Sequence, residues 1–171
     1  RIIKRPFFML CKIDNYLKVI YRLSGYAAAF FLIFVATFIL TGIASRIFGF
    51  YIRGLAEYSG YCMAASSFLA LAYTFGEKGH IRITLFLEKS NKTIRRYLEI
   101  WCLSIATFFS GFLSFYFLKM LMISFNFQER SEGADEILIW IPQVPVALGS
   151  SIFFICVLHN FILLILKKNN I

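Results

Sequence analysis

The stretch SGYAAAFFLIFVATFILTGIAS, residues 24–45, decides the fold of this chain. It contains no charged side chain, and its 22 residues are enough for a helix to cross the ~30 Å hydrocarbon core of a bilayer, which takes about 20. It is also longer than the apolar part of a signal peptide, which has about 7–15 residues. We therefore expect a membrane helix that is not cleaved.

Three further segments have the same character. The four runs cover residues 24–45, 55–75, 97–123 and 144–166. The whole chain is 60% apolar, against about 45–50% for a soluble domain, and 171 residues offer too little interior to hide that surface from water. The pattern predicts an all-α integral membrane protein, in which residues 24–166 form one domain of four transmembrane helices.

Lysine and arginine set the predicted orientation. Fourteen of the 18 basic residues lie in residues 1–23, in the connection 76–96 and in the basic tail 167–171. Only four lie near the two opposite connections. Because cytoplasmic segments of membrane proteins are rich in lysine and arginine, we expect both termini and the 76–96 connection in the cytoplasm. The net charge of +9 is then a signal of topology, and no nucleic-acid partner is predicted.

Residues 1–23 form an amphipathic arm before the first span. Apolar side chains recur there at helical spacing, and polar and charged side chains lie between them. We expect a helix that lies in the cytoplasmic interface of the membrane. The apolar positions are Leu10, Ile13, Leu17, Ile20 and Tyr21.

Small residues are spaced by four on the third and fourth predicted helices. Such rows let helix backbones approach each other in lipid, where no hydrophobic effect draws helices together. Two interpretations remain open, namely packing inside the four-helix unit and a docking face for another membrane protein. The rows comprise Ala106, Ser110 and Ser114, with Thr107 and Gly111 beside them, and Ala147 and Ser151 around Gly149.

Few residues offer catalytic or cofactor chemistry. The four cysteines contain no C-x-x-C pair and are typical of small apolar side chains. His80 and His159 are poorly arranged to clamp a haem, and His159 beside Asn160 is expected to form hydrogen bonds between helices. No nucleophile with an adjacent base stands out. The sequence therefore predicts no enzyme, no metal site and no cofactor.

The connections after the second and third helices carry most of the remaining polar residues. The cytoplasmic one begins GEKGHIR, residues 76–82, where Gly76 and Gly79 are expected to end the second helix. The outer one, residues 126–145, is acidic and ends in Trp140 and two prolines. Those prolines are expected to open the fourth helix, with Trp140 as an anchor at the membrane interface.

Three local features follow one another in an order that resembles a known family. They are an arginine that closes helix one with a glutamate that opens helix two, a Gly-His-Ile-Arg stretch, and a proline-containing entry to helix four. The residues are Arg46 and Glu57; Gly79, His80, Ile81 and Arg82; and Trp140, Ile141, Pro142 and Pro145, with the later Gly149. The chain is similar, over residues 20–166, to the small (Q-type) membrane subunit of tripartite ATP-independent periplasmic (TRAP) transporters. It departs from that pattern at Ile83 and Thr84, where the family usually has an acidic residue.

The resemblance implies a function. In this family a periplasmic protein captures an organic acid and delivers it to a large permease, which moves it across the bacterial inner membrane by an elevator motion driven by sodium. The small subunit is then a scaffold in the lipid that carries no substrate site. By this resemblance, contacts with the large permease would involve Arg46, Glu57, Glu77, Gly79, His80, Arg82, Trp140, Pro142 and Pro145. The binding protein would dock transiently at the outer acidic residues Glu132, Asp135 and Glu136.

Other functions share the same composition. A non-catalytic assembly or anchor subunit of a different membrane complex would have every feature except the ordered motifs. A haem- or quinone-binding redox subunit would bring a coloured cofactor. A self-assembling channel is disfavoured, because no helix carries a polar stripe along its length.

Overall fold

A computed structural model describes residues 4–50, 52–78, 92–131 and 136–166, with side chains given for most of these. The described residues form four α-helices, which we number in chain order: α1, Lys4–Ile47; α2, Leu55–Lys78; α3, Lys92–Phe127; and α4, Trp140–Leu166. Apart from one isolated bridge between Arg130 and Leu138, no strand pairing occurs in these ranges. The predicted all-α class is confirmed for this part of the chain.

Helix α1 is longer than predicted. The amphipathic arm is helical, as expected, but no break separates it from the first apolar run, and one helix extends from Lys4 to Ile47. At 1.5 Å per residue such a helix is about 66 Å long, roughly twice the hydrocarbon thickness of a bilayer. Part of α1 must therefore lie outside the membrane core. Whether that part rests on the membrane surface remains a prediction.

The helices pack in the order α1–α2–α4–α3. Helix α2 lies between α1 and α4, and α3 packs against the far side of α4. Helices α1 and α3 make no extended contact with each other, and α1 touches α4 only over a short stretch. The four helices therefore form a row in which the two central members are covered on both sides, while α1 and α3 each keep a broad open face.

Three helices are long and apolar enough to cross a membrane: Tyr16–Ile47, Tyr97–Phe127 and Trp140–Ile165. The prediction of four such spans is thus met for α1, α3 and α4, whereas α2 is less apolar than its neighbours. The physical reason is its central position. Small and polar side chains of α2 are buried against other helices and not exposed to lipid, including Ala65, Ser66 and Ala72.

Small residues mediate the packing between helices. Ser110 and Ser114 on α3 are buried, as are Ala147 and Ser150 on α4. The hydroxyls of Ser114 and Ser151 form a hydrogen bond of 3.1 Å across the α3–α4 contact. Of the two open interpretations of these rows, packing inside the unit is therefore the one the structure supports.

Gly76 does not end α2. The helix continues through it to Lys78. What the missing side chain does here is make room for a neighbouring helix. A Cβ at Gly76 would lie 2.7 Å from the ring of Tyr21 on α1, and Tyr21 is itself buried. The expectation that Gly76 stops the helix was wrong, since at this position glycine allows close packing of α1 on α2.

Candidate partner interface

The connection between α1 and α2 brings together two of the predicted contact residues. It turns through Gly49 and Gly54, whose φ angles of 74° and 76° lie in the left-handed region that glycine adopts without strain. The turn sets the last residues of α1 beside the first residues of α2. Arg46 from α1 and Glu57 from α2 thereby line a common cleft of about 340 Å³, which we call the outer cleft.

Each of these two charges has a favourable local position. Arg46 lies in the last turn of α1, where the helix dipole favours a cation, and Glu57 lies in the first turn of α2, where it favours an anion. Arg46 is exposed and Glu57 is half-buried. Helix stabilisation alone explains why an arginine and a glutamate occur here. In addition, both residues line the same cleft.

The connection between α3 and α4, which the sequence predicts to be on the outer side, folds back as a short hairpin. The Ser131 amide donates to the Ile137 carbonyl at 2.7 Å, and the Ile139 amide donates to the Glu129 carbonyl at 3.0 Å. Its base is tied to α2, since the Tyr61 hydroxyl and the Ser131 hydroxyl lie 3.1 Å apart. This contact joins residues 70 positions apart in sequence, and no sequence motif signals it.

The charges of this hairpin differ in how firmly they are held. Glu129 accepts a hydrogen bond of 2.8 Å from the hydroxyl of Ser124, which is almost fully buried. Glu136 lies 3.5 Å from Arg130, but both side chains are about 70% exposed (67% and 73%). Such exposed pairs contribute ~0–1 kcal/mol, so Glu136 remains accessible to a partner. Glu132 and Asp135, the other two predicted docking residues, lie outside the described residues.

The entry to α4 is built around Trp140. Its ring packs edge-to-face on Phe125 of α3, with centroids 5.5 Å apart, so the side chain is half-buried and less open to the membrane interface than an isolated anchor would be. Pro142 falls in the first turn of α4, where its missing N–H costs no helical hydrogen bond. Pro145 lies further inside the helix, and both prolines are half-buried.

The second group of predicted contact residues, expected on the cytoplasmic side, is only partly described. Glu77 lies in the last turn of α2, and its side chain is not among those described. Gly79, His80 and Arg82 lie outside the described residues. Their proposed contact with a partner therefore stays a prediction.

The C-terminal half of α4 holds the remaining polar residues that the sequence singled out. The sequence analysis expected Asn160 to form a hydrogen bond between helices. Instead, its side-chain amide donates to the Cys156 carbonyl one turn earlier in α4, at 2.8 Å. His159 is half-buried on the same helix. The described residues contain no group of three or more His, Cys, Asp or Glu side chains that could hold a metal ion.

Helix α3 presents an apolar stripe away from α4. Its buried residues, among them Leu103, Ser110 and Ser124, recur on the side that packs against α4. On the open side, large side chains are more than half exposed and follow one another at spacings of three, four or seven residues, as on one face of a helix. They are Trp101, Phe108, Phe112, Phe115 and Met122.

Comparison with known proteins bears directly on these surfaces. No curated protein and no solved structure matches the chain. A family model does match, described as the DctQ component of tripartite ATP-independent periplasmic transporters, and the match covers residues 35–167. This range includes every predicted contact residue, and it leaves out the whole amphipathic arm, residues 1–23, and the first part of the apolar run 24–45. Because the match spans most of the chain, this protein belongs to the DctQ family, the small membrane component of TRAP transporters.

Proposed function

We propose that this chain is the scaffold subunit of a sodium-driven, binding-protein-dependent TRAP transporter that imports an organic acid. The observation that carries the proposal is the DctQ family match over residues 35–167. In this division of labour, a large permease moves the substrate and a periplasmic protein delivers it. The small subunit contributes no catalysis and no substrate site, and it enlarges the part of the transporter that stays fixed in the membrane.

The row of helices supports a scaffold role. A closed bundle would bury its apolar side chains among its own helices, whereas α1 and α3 each leave a long apolar face open. In lipid such faces are compatible with either acyl chains or a partner helix. Because α1 and α3 are each covered on one side only, the subunit has a large apolar surface for lipid and for a partner helix. Such a surface suits a protein that anchors a larger permease.

We propose that α2 is the fourth membrane span. It has 24 residues and is therefore about 36 Å long, enough to cross the ~30 Å core. A short turn joins it to α1, and the two helices pack along each other, so α2 returns through the same layer that α1 crosses. Four spans put both termini on one side, and the excess of lysine and arginine assigns that side to the cytoplasm of a bacterial inner membrane.

Contacts with the large permease are assigned to both ends of the row. At the outer end they involve the Trp140 entry to α4, with Pro142 and Pro145. At the cytoplasmic end they involve Glu77 and the Gly79, His80, Arg82 stretch. Where one of these charges becomes buried in the assembled complex, removing the residue that pairs with it leaves a buried, unpaired charge. This weakens the binding free energy by a few kcal/mol.

The outer hairpin is proposed to receive the binding protein transiently. Its exposed carboxylate Glu136, with Glu132 and Asp135, offers negative charge at the outer face. Reversing the charge in Glu136→Lys should slow delivery at low salt, and the effect should fade as salt screens it. The neutral variant Glu136→Gln should have a smaller effect. Delivery rates for Glu136→Lys that equal those of the unmodified protein at low salt would contradict this assignment.

Proteoliposomes test the scaffold role. The large permease is reconstituted with and without this chain, the binding protein is supplied outside with its organic acid, and uptake is followed under an inward sodium gradient. The proposal predicts sodium-dependent uptake only when this chain is present. A large permease that transports equally well alone would refute it, and so would uptake that ignores sodium.

A further inference from the structure

We propose that the outer cleft binds the headgroup of a phospholipid that carries a primary amine, such as phosphatidylethanolamine. The phosphate would lie at Arg46 and the ammonium group at Glu57, which line the same cleft. This inference rests on the proposal made above that α2 crosses the membrane beside α1, and it does not depend on the transporter function. A cleft of about 340 Å³ falls within the usual range of ~300–1,000 Å³ for small-ligand sites.

The first argument is depth in the membrane. The uncharged run of α1, residues 24–45, is followed directly by Arg46; in a membrane-crossing helix such a charge lies where hydrocarbon gives way to headgroups. Immediately beyond, Phe48 and Phe50 stack on each other with centroids 6.3 Å apart, and they are 76% and 53% exposed. Arg46 and Arg53 flank these two rings in the sequence, and basic side chains at the end of an apolar helix reach the headgroup layer. The outer cleft therefore opens at the level of lipid headgroups.

The second argument is the gradient of polarity along the cleft. Its charged residues stand at the ends of α1 and α2, whereas Phe38, Ile39 and Ile43 line it on the side of the membrane centre. From Arg46 back to Phe38 is eight residues along α1, or about 12 Å. A phospholipid has the same gradient over this distance, since its charged headgroup continues into glycerol and acyl chains. A free anion would use only one end of the cleft.

The third argument is the pair of opposite charges. A guanidinium presents a planar set of donors that suits phosphate oxygens, and a carboxylate accepts hydrogen bonds from a primary ammonium. A carboxylate can accept several hydrogen bonds at once. Phosphatidylglycerol has the phosphate but no ammonium group to donate one, and the quaternary ammonium of phosphatidylcholine has no N–H to donate. Apolar walls strengthen both interactions, because the effective dielectric constant beside them is lower than in water. The chemistry therefore selects the amine-bearing lipid.

Native mass spectrometry measures this selection. The purified chain is equilibrated in micelles that contain equal amounts of phosphatidylethanolamine, phosphatidylcholine and phosphatidylglycerol, and the lipids that stay bound are counted. We expect phosphatidylethanolamine to be retained preferentially. Arg46→Ala should reduce its retention by about tenfold or more, in line with the loss of one charge-assisted hydrogen bond. Glu57→Gln should remove the preference over phosphatidylglycerol.

Two control variants test whether lipid retention depends on the cleft itself. Arg53→Ala removes the same charge from the same turn, but Arg53 does not line the cleft, so retention should be unchanged. Gly42→Leu keeps both charges and fills the cleft, since a Cβ at Gly42 meets only Leu55 Cδ1 at 3.9 Å; retention should fall. Circular dichroism confirms that each variant keeps its helices.

Three outcomes would overturn the proposal. One is equal loss of lipid in Arg46→Ala and Arg53→Ala, and another is full retention in folded Gly42→Leu. The third is an Arg46→Ala variant that keeps its lipid and loses a co-purifying membrane protein, which would assign the cleft to a polypeptide partner. Failure of transport in proteoliposomes, with lipid selection intact, would count against the proposed function alone.

Discussion

Gly149 lies where the backbones of α4 and α2 come closest. A Cβ at this position would stand 3.0 Å from the Leu69 amide nitrogen and 3.0 Å from the Phe68 carbonyl carbon. Both are backbone atoms of α2, which cannot rotate away as a side chain does. In Gly149→Ala the two helices must therefore separate by about 0.5 Å to restore a normal carbon contact of ~3.5 Å.

The cost of this separation follows from the attractions it weakens. A buried leucine such as Leu69 makes ~40–60 atom–atom contacts of about 0.1–0.2 kcal/mol each, and a gap of ~0.5 Å forfeits about a quarter of that attraction. The loss is roughly 1–3 kcal/mol, the same range as measured overpacking penalties. Replacing glycine by alanine inside a helix gains back roughly 0.5–1 kcal/mol, which partly hides the effect.

Gly60 on α2 is a matched control. It is also helical, and a Cβ there would meet no atom of the described residues within 4 Å. Gly60→Ala therefore gains the helix preference without the crowding. Because this gain is common to both variants, the difference in unfolding free energy between Gly149→Ala and Gly60→Ala reports the helix crossing directly, at about 1–3 kcal/mol. Unfolding in mixed micelles titrated with dodecyl sulfate, followed by circular dichroism, measures it. Equal stability of the two variants would refute the close α2–α4 approach.

Three further predictions concern single contacts. Tyr61→Phe removes the hydroxyl that meets Ser131, a bond of about 1 kcal/mol, so amide exchange in the outer hairpin should accelerate severalfold; unchanged exchange would contradict the tie. Ser114→Ala removes the hydroxyl contact with Ser151 and should lower the free energy of unfolding in micelles by ~0.6 kcal/mol. A loss above about 2 kcal/mol would contradict the assignment of a single weak hydrogen bond to Ser114. Arg130→Ala removes an exposed ion pair and should change stability by less than about 1 kcal/mol, with a larger loss contradicting its exposed setting.

The apolar runs allowed most of the helices to be predicted. Lipid requires every backbone group to be paired within a helix, so long uncharged segments leave few alternatives. Boundaries were less predictable, because polar residues also fit helix turns that extend beyond the hydrocarbon. For this reason α1 continues through the charged arm to Lys4, and α3 begins at Lys92, before its apolar run.

The candidate interface was predictable only where it is local. Arg46 and Glu57 are separated by a short turn, so the prediction that they act at one place needed no knowledge of packing, although a direct pair between them stays a prediction. The contact between Tyr61 and Ser131 depends on how α2 packs beneath a distant hairpin, and single-sequence patterns carry no such information. Gly76 illustrates the opposite error, since a glycine that packs under Tyr21 has the same local pattern as one that ends a helix.

Affinity purification from gently solubilised native membranes tests the central claim most directly. The chain is captured by a tag, and the masses and amounts of co-purifying proteins are determined. Membership in a transporter complex predicts a much larger multi-spanning protein in a fixed ratio to this chain, without a coloured cofactor. Recovery of this chain alone, or with redox subunits that absorb visible light, would contradict the scaffold account.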